Sequence, residues 1–328
     1  MNGGVKSPVE KESDSNNIAF EQLIKAIKSN IVFAFIGAGS SKKLGYPLWE
    51  ELIGILEETV KTKGTSIDLQ LYKNNRDHEK DPLWYAEILK SCLDESEFYL
   101  VINERFKPKR NNWKPFHQKL MQIPFRHYIT TNYDTVLEHA SYSLSQSIES
   151  FCWNDREMLR KFFQNLNDPR SQDTRYIFHI HGIYDKKDSI ILTERDYMRL
   201  YFEEELAGKI LWSIISSFKI LFIGFSMSDL DLLSIFRKAR WEFGRGAPRH
   251  FAIVEENNVE ARITKRIYLR DKYGIDPIFF SRQDENANPY IEEENIIEKL
   301  VDLNIGNSLQ RDANSLIEIG RINQGLER

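Results

Sequence analysis

The chain lacks most of the features that announce a metal centre, a membrane anchor or a nucleic-acid binder. Cysteine occurs only twice in 328 residues, as Cys92 and Cys152. Two thiols cannot build a four-thiolate zinc site, and both read as ordinary reduced side chains, buried or half-buried. No apolar run approaches the roughly 20 residues needed to span a bilayer. The polar start, Met1 to Asn17, has no signal-peptide core. It is expected to be a mobile arm, and the protein is expected to be cytoplasmic, without membrane contact. Charge of one sign is also missing: 45 Lys and Arg face 49 Asp and Glu, for a net charge of −4. No global basic field points to direct nucleic-acid binding, and no acidic tract points to a disordered tail. There is no internal repeat and no Walker motif.

What is present is a series of short apolar runs, each ending in a polar or glycine-rich turn. They are 31–36, 127–130, 175–180, 219–223, 250–254 and, more weakly, 276–280. Several lack strict alternation, as strands covered on both faces do. Helical patterns separate them. Between Pro47 and Lys63, residues Leu48, Leu52, Ile55, Leu56 and Thr59 form one stripe, with Gly64 at the expected stop. This alternation predicts an α/β fold, a doubly wound parallel Rossmann-like sheet, with ligands beyond the carboxyl ends of the strands. The stretches at about 65–124 and 135–174 look helical and too long for simple crossovers, so they are assigned to a helical subdomain or lid. The expected organisation is an arm over 1–17, a nucleotide-binding domain over 18–282 and a helical tail over 283–328. In that tail, Ile296, Ile297, Leu300, Val301 and Leu303 form an amphipathic stripe.

The polar strand ends carry the candidate chemistry. Gly37-Ala38-Gly39-Ser40-Ser41 follows the first strand and opens a helix, where glycines admit a pyrophosphate and free amides favour anions. Lys42 stands where the full dinucleotide fingerprint has its third glycine, so a tight structural turn remains an alternative. Asn132 and Asp134 lie two residues apart after the second strand and can share one side; they can equally cap a helix. His179 and His181 alternate along the third strand. Of the two, His181 beside Gly182 is the candidate base, since imidazole works near neutral pH. Gly224-Phe225-Ser226 ends the fourth strand, and Glu255 ends the fifth, where it can accept from ribose hydroxyls or simply be solvated. Asp229 can cap the next helix.

Taken in order, Gly37-Ala38-Gly39-Ser40-Ser41, Gly45-Tyr46-Pro47, Thr131-Asn132-Tyr133-Asp134, His181-Gly182 and Gly224-Phe225-Ser226 resemble the sirtuin family over about residues 31–280. The resemblance implies NAD as substrate. Gly37, Ala38, Gly39, Ser41, Gly224 and Ser226 would lie along the phosphates and adjoining ribose, with Glu255 as the acidic ribose contact. Asn132 would hold the nicotinamide ribose or a water, Asp134 the carboxamide, and His181 would be the base. Two departures bear on function. The paired Cys-x-x-Cys zinc module of the deacylases is missing, because Cys92 and Cys152 both precede His181. The deacylase Asp-Phe-Arg is replaced by Leu48-Trp49-Glu50.

The chain therefore resembles the zinc-less bacterial sirtuin-like group, whose members deplete NAD in anti-phage defence. That implies an NAD glycohydrolase that releases nicotinamide and ADP-ribose without a metal. It also implies homo-oligomers and, since no sensor domain is evident, a separately encoded partner such as a HerA-like ATPase. The alternatives are a non-enzymatic nucleotide-binding regulatory subunit and an NAD-dependent protein deacylase.

Overall fold

The computed structural model describes residues 7–63, 81–167, 174–227, 229–283 and 288–303. Its centre is a seven-stranded sheet: β1 (Val32–Ile36), β2 (Tyr128–Thr130), β3 (Glu149–Cys152), β4 (Tyr176–His179), β5 (Lys219–Ile223), β6 (His250–Glu255) and β7 (Ile275–Phe280). The spatial order is β3-β4-β2-β1-β5-β6-β7 and every pairing is parallel. The chain lays β2, β3 and β4 on one side of β1, with β4 between β2 and the edge strand β3, then returns to build β5, β6 and β7 on the other. The strand order thus reverses between β1 and β5, where Ile36 is in register with Ile223.

The sheet is buried on both faces because its side chains alternate between two cores. Phe33 and Phe35 of β1 join Phe222 and Phe178 in one core; Val32, Ala34 and Ile36 join Leu221, Ile223 and Phe251 in the other. This explains the near-continuous apolar runs in the sequence. The layers are α1 (Pro8–Lys28), α2 (Gly39–Lys42), α3 (Trp49–Thr62), α4 (Pro82–Ser91), α5 (Glu95–Phe106), α6 (Pro115–Gln122), α7 (Val136–Ser143), α8 (Arg156–Asn167), α9 (Glu194–Met198), α10 (Glu205–Ser217), α11 (Leu230–Phe243) and α12 (Val259–Tyr273), with a helix over 291–303. Asp94, Asp229 and Asn258 cap α5, α11 and α12 with their side chains.

A third core defines the helical subdomain. Leu52, Leu56 and Val60 of α3 pack with Tyr85 and Leu89 of α4, Phe98 and Ile102 of α5, Tyr133 after β2, Val136 at the start of α7 and Ile190 from the loop after β4. The expected subdomain is there, but its limits differ. It includes α3, whereas α6 packs Phe116, Leu120 and Met121 on the sheet. Residues 64–80, with Gly64, lie outside the described residues. The buried stripe of α3 is Leu52, Ile53, Leu56 and Val60, so Leu48, Ile55 and Thr59 of the expected stripe are only half-buried.

Two further expectations are corrected. Residues 8–17 are not a mobile arm: they form the first turns of α1. Ser7 caps that helix, and the buried Glu12 carboxylate accepts from Arg266 at 3.1 Å. Asn16 exchanges two hydrogen bonds with the backbone of Phe279 on β7. A polar surface hides these internal partners from the sequence pattern. The 135–174 stretch is not wholly helical either. Glu149–Cys152 is the edge strand β3, whose inward Phe151 stacks on Phe178 at 4.9 Å. The helix over 291–303 packs Ile297 and Leu300 on the sheet core; residues 304–328 of the expected tail lie outside the described residues.

Candidate active site

The two glycine turns meet at the β1/β5 reversal. The Gly37 N–H donates to the Ile223 carbonyl at 2.9 Å and the Gly39 N–H to the Gly224 carbonyl at 2.8 Å. A methyl on Gly37 would sit 2.5 Å from the Gly224 oxygen, and one on Gly224, at φ +64°, would sit 2.5 Å from the Ser40 nitrogen. Backbone-on-backbone packing alone therefore requires glycine here. It also engages two of the amides that the sequence offered to a phosphate. His117 braces the turn from behind: its Nε2 lies 2.9 Å from the Ser40 carbonyl while its Nδ1 accepts from the Lys114 N–H at 3.0 Å.

Beside this contact, three predicted residues form one cluster. Thr130 donates its hydroxyl to the Ile36 carbonyl and accepts the Asn132 N–H, tying the end of β2 to β1. Asn132 then reaches back, its Nδ2 donating to the Gly37 carbonyl at 3.3 Å and the Ser41 hydroxyl at 3.2 Å. Ser41 in turn hydrogen-bonds the Asp134 carboxylate. Asp134 also accepts the Val136 N–H at 3.0 Å, so it does part of the capping work at the start of α7. Burial pushes its carboxyl up to about 6, against the opposing hydrogen bonds from Val136 and Ser41. Asn132 is only 7% exposed, yet its Oδ1 has no hydrogen-bond partner. A buried, unmatched acceptor at a strand end costs stability unless a ligand or water supplies a donor.

His181 occupies a second centre, on the loop after β4. Its Nε2 shares a hydrogen bond of 3.0 Å with the Tyr201 hydroxyl and lies 3.8 Å from Asp229 Oδ2, which also accepts from Tyr197 at 3.2 Å. Burial lowers His181 to about 3, so it is a neutral imidazole across the physiological range. Asp229 is too distant and too engaged, by Tyr197 and the α11 amide of Leu232, to hold a proton on the ring. Tyr201 sits in a π-helical turn, Arg199–Glu203, a distortion frequent at functional sites. Gly182 serves a different purpose from the one its place beside His181 suggests. At φ +90°, a Cβ there would lie 2.2 Å from the Ser189 carbonyl, so the glycine closes a loop rather than opening the imidazole to a ligand.

His179 is structural. Burial disfavours its charge, but the Glu138 carboxylate 2.7 Å away outweighs that, so the imidazole is raised and Glu138 lowered. Its Nδ1 lies 3.1 Å from the Asn132 carbonyl and holds the backbone of the first cluster. Ser226 and Glu255 stand at the exposed rim after β5 and β6. Glu255 lies near enough to Glu293 to raise that carboxyl. Sequence reasoning missed Tyr197 and Tyr201. Their i, i+4 spacing puts both rings on one helical face, but nothing local names His181 as their partner. Among the described residues no group of three or more His, Cys, Asp or Glu is arranged to hold a metal ion, and no helix is long and apolar enough to cross a membrane. Burial pushes the Cys152 thiol up to about 11, which removes it as a nucleophile.

Comparison with known proteins finds relatives for this arrangement. The model of the SIR2-like domain matches residues 126–278, from β2 with Asn132 through the His181 loop to β7. Those residues, just under half of the chain, are similar to the SIR2-like domain. The sirtuin resemblance read from its motifs is thereby borne out. The chain is 26% identical over 247 residues to the NAD(+) hydrolase ThsA of Acinetobacter baumannii, covering 74% of this chain and 46% of that protein. With the NAD(+) hydrolase ThsA of Bacillus cereus it shares 22% over 275 residues, covering 81% of this chain and 53% of that protein. It is also 22% identical over 225 residues to the defense-associated sirtuin 2 of Bacillus subtilis, covering 66% of this chain but 20% of that protein. The chain thus matches about half the length of the hydrolases and a fifth of the defence sirtuin.

Proposed function

We propose that this SIR2-like chain hydrolyses NAD+ to nicotinamide and ADP-ribose. The observation that carries the proposal is the Asn132–Ser41–Asp134 cluster at the strand-order reversal, with its unpartnered Asn132 Oδ1. That is where a doubly wound sheet receives a dinucleotide, and the donor set fits one. Asn132 Oδ1 would accept from a ribose hydroxyl or from the attacking water. Asp134 would accept from the carboxamide N–H2 of nicotinamide. Ala38, Gly39, Ser41 and, from the β5 loop, Gly224 and Ser226 would line the phosphates, with Glu255 at the far ribose.

The chemistry asks little of the protein. Nicotinamide leaves with the bonding electron pair, which neutralises its ring charge. Water adds to the ribose C1′, and one proton is released. A neutral His181 can take that proton, and its depressed basicity passes it readily to solvent. Catalysis then consists mainly of holding a distorted cofactor and a water in line. The names of the relatives support hydrolysis over deacylation, as do the missing Cys-x-x-Cys pairs. We further propose a role as an NAD-depleting effector of anti-phage defence in the cytoplasm, acting as a homo-oligomer and triggered by a separately encoded partner such as a HerA-like ATPase. One observation favours the second reading, a nucleotide-binding regulatory subunit: His181 Nε2 is already engaged by Tyr201, as in a site that waits to be rearranged.

The deciding experiment follows nicotinamide and ADP-ribose from purified protein with NAD+, alone and with co-encoded proteins, for the wild type, Asn132→Ala and His181→Ala. Turnover abolished by both substitutions is expected. Turnover that survives both would refute the site. Binding of NAD+ without turnover in any assembly would favour the regulatory subunit, and nicotinamide release only with an acylated peptide would favour a deacylase.

A further inference from the structure

A concavity on the described surface shares no lining residue with the proposed NAD site. It is an open groove of about 530 Å³, lined by Lys43, Leu44, Lys109, Arg110, Asn111, Asn112, Trp113 and Lys114. Four of its eight lining residues are cationic and none is acidic. This is a local reversal of the chain's balance, which is −4 overall. Lys107, Lys109, Arg110 and Lys114 fall within one short segment, 107–114, that contains no acid.

The groove is built rather than incidental. Its floor is Asn112, which is buried; its Oδ1 accepts from the Tyr46 hydroxyl and its Nδ2 faces His139 Nδ1 at 3.4 Å. Asn111 holds a left-handed turn at φ +56°, and the Trp113 N–H closes back on the Asn111 carbonyl at 2.8 Å. Those bonds fix the backbone that presents the cations. Lys43 on the facing wall pairs with Glu294 at 3.0 Å and with Glu293 at 3.8 Å, but burial pushes the Glu293 carboxyl up to about 7. Lys109 donates to the Leu44 and Gly45 carbonyls at 3.5 and 3.4 Å and lies over the Tyr46 ring. Arg110 and Lys114 are exposed and take part in no ion pair among the described residues. Like charges gathered around a concavity repel one another and raise the local concentration of anions.

We propose that this groove binds a small ligand carrying two or more linked phosphates. Linked phosphates match the chemistry. Arg110 offers a planar fork for paired oxygens and the lysines offer point charges. The volume is that of a nucleotide-sized ligand, and half-buried Trp113 provides a face on which a base can stack. The concave shape argues against a duplex, which needs a basic stripe that follows its backbone. The groove also shares a wall with the glycine turn. Lys43 ends α2, and Lys109 holds the carbonyls of Leu44 and Gly45, just beyond Ser41. The groove therefore adjoins the turn, and the inference stands independently of the proposed hydrolysis.

The test is calorimetric titration of the full chain with inorganic tripolyphosphate and, separately, with ATP. The proteins are wild type, Arg110→Gln/Lys114→Gln and a distant control, Lys209→Gln. Saturable one-to-one binding is expected. The double variant should lose at least tenfold in affinity at an unchanged melting temperature, and the control should match wild type. Tighter binding of ATP than of tripolyphosphate would assign the Trp113 face to a base; equal binding would assign the site to phosphate alone. Either result supports the groove. Binding that is undiminished in the double variant, or heat that never saturates, would overturn it. So would displacement of the probe by NAD+, which would merge the groove with the substrate cleft. Tighter binding of a DNA duplex than of either probe would overturn the small-ligand assignment.

Discussion

Asp134→Asn should make the protein more stable at neutral pH while weakening its grip on NAD+. The carboxyl is raised from 3.8 to about 6 by burial beside Ser41 and Val136. The folded chain therefore holds that proton more tightly than the unfolded chain does. This contribution favours the fold fully below pH 3.8, and it is lost as pH rises through about 6. Above that, the native protein carries a buried carboxylate whose ionisation costs about 3 kcal/mol, at 1.36 kcal/mol per pKa unit. Asparagine has the same shape and does not ionise, but it keeps one acceptor where the carboxylate has two. One of the bonds from Ser41 and Val136 weakens, at about 1 kcal/mol. The net gain is about 2 kcal/mol at pH 8. It should shrink to nothing or reverse near pH 4, with most of the change falling between pH 3.8 and 6. Urea unfolding of both proteins at pH 4, 5, 6 and 8 measures this difference directly, and every other titrating group cancels in it. A difference that is flat with pH, or that favours the parent more strongly at pH 8, would refute the buried-carboxylate account. A stabilising substitution at a buried aspartate is what a function held at the expense of stability looks like.

Four further outcomes follow from the same geometry. The rate of nicotinamide release should fall as pH drops through about 6, where Asp134 protonates, with no separate limb from His181, which stays neutral down to about 3; a pH–rate profile of wild type checks this. Tyr201→Phe keeps the ring and removes the 3.0 Å bond to His181, so kcat should change by about tenfold with the melting temperature nearly constant; equal kcat would make the contact incidental. Gly37→Ala drives a methyl to 2.5 Å from the Gly224 oxygen and should abolish soluble folding, whereas Gly54→Ala in α3, with nothing within 4 Å, should gain about 0.5–1 kcal/mol in thermal unfolding. Glu12→Gln should lower stability by about 3 kcal/mol in urea, because it leaves buried Arg266 without its counter-charge.

The parts of the fold legible in the sequence were those governed by local pattern. Six of the seven strands stood out because each is a short apolar run that must be covered on both faces. The strand β3 did not, since Glu149 and Ser150 break its apolar character and only Phe151 and Cys152 are buried. The start of α1 was misjudged because its anchors, Glu12 and Asn16, are polar residues whose partners lie on α12 and β7, more than two hundred residues away. In the candidate site, Asn132, Asp134 and Ser41 were found by residue type at strand ends, and the structure joins them. The glycines were found too, but for a partly different reason, because they serve each other's backbones before any ligand. Tyr197, Tyr201 and Asp229 could not be assigned to His181 from sequence, since that grouping depends on how a π turn and the cap of α11 are brought together.

The contact between the two glycine turns also sets when the site can exist. Gly37 and Ser41 leave the ribosome early, Asn132 and His181 midway, but Gly224 and Asp229 arrive only after β5 has been made. Until then β1 has no neighbour on that side, the turn after it has no carbonyl to receive its amides, and the imidazole has lost the loop that faces it. A nascent or truncated chain that stops before β5 holds most of the named residues and none of their assembled geometry. Under the proposed NAD+ hydrolysis, such a dependence would keep synthesis intermediates inert.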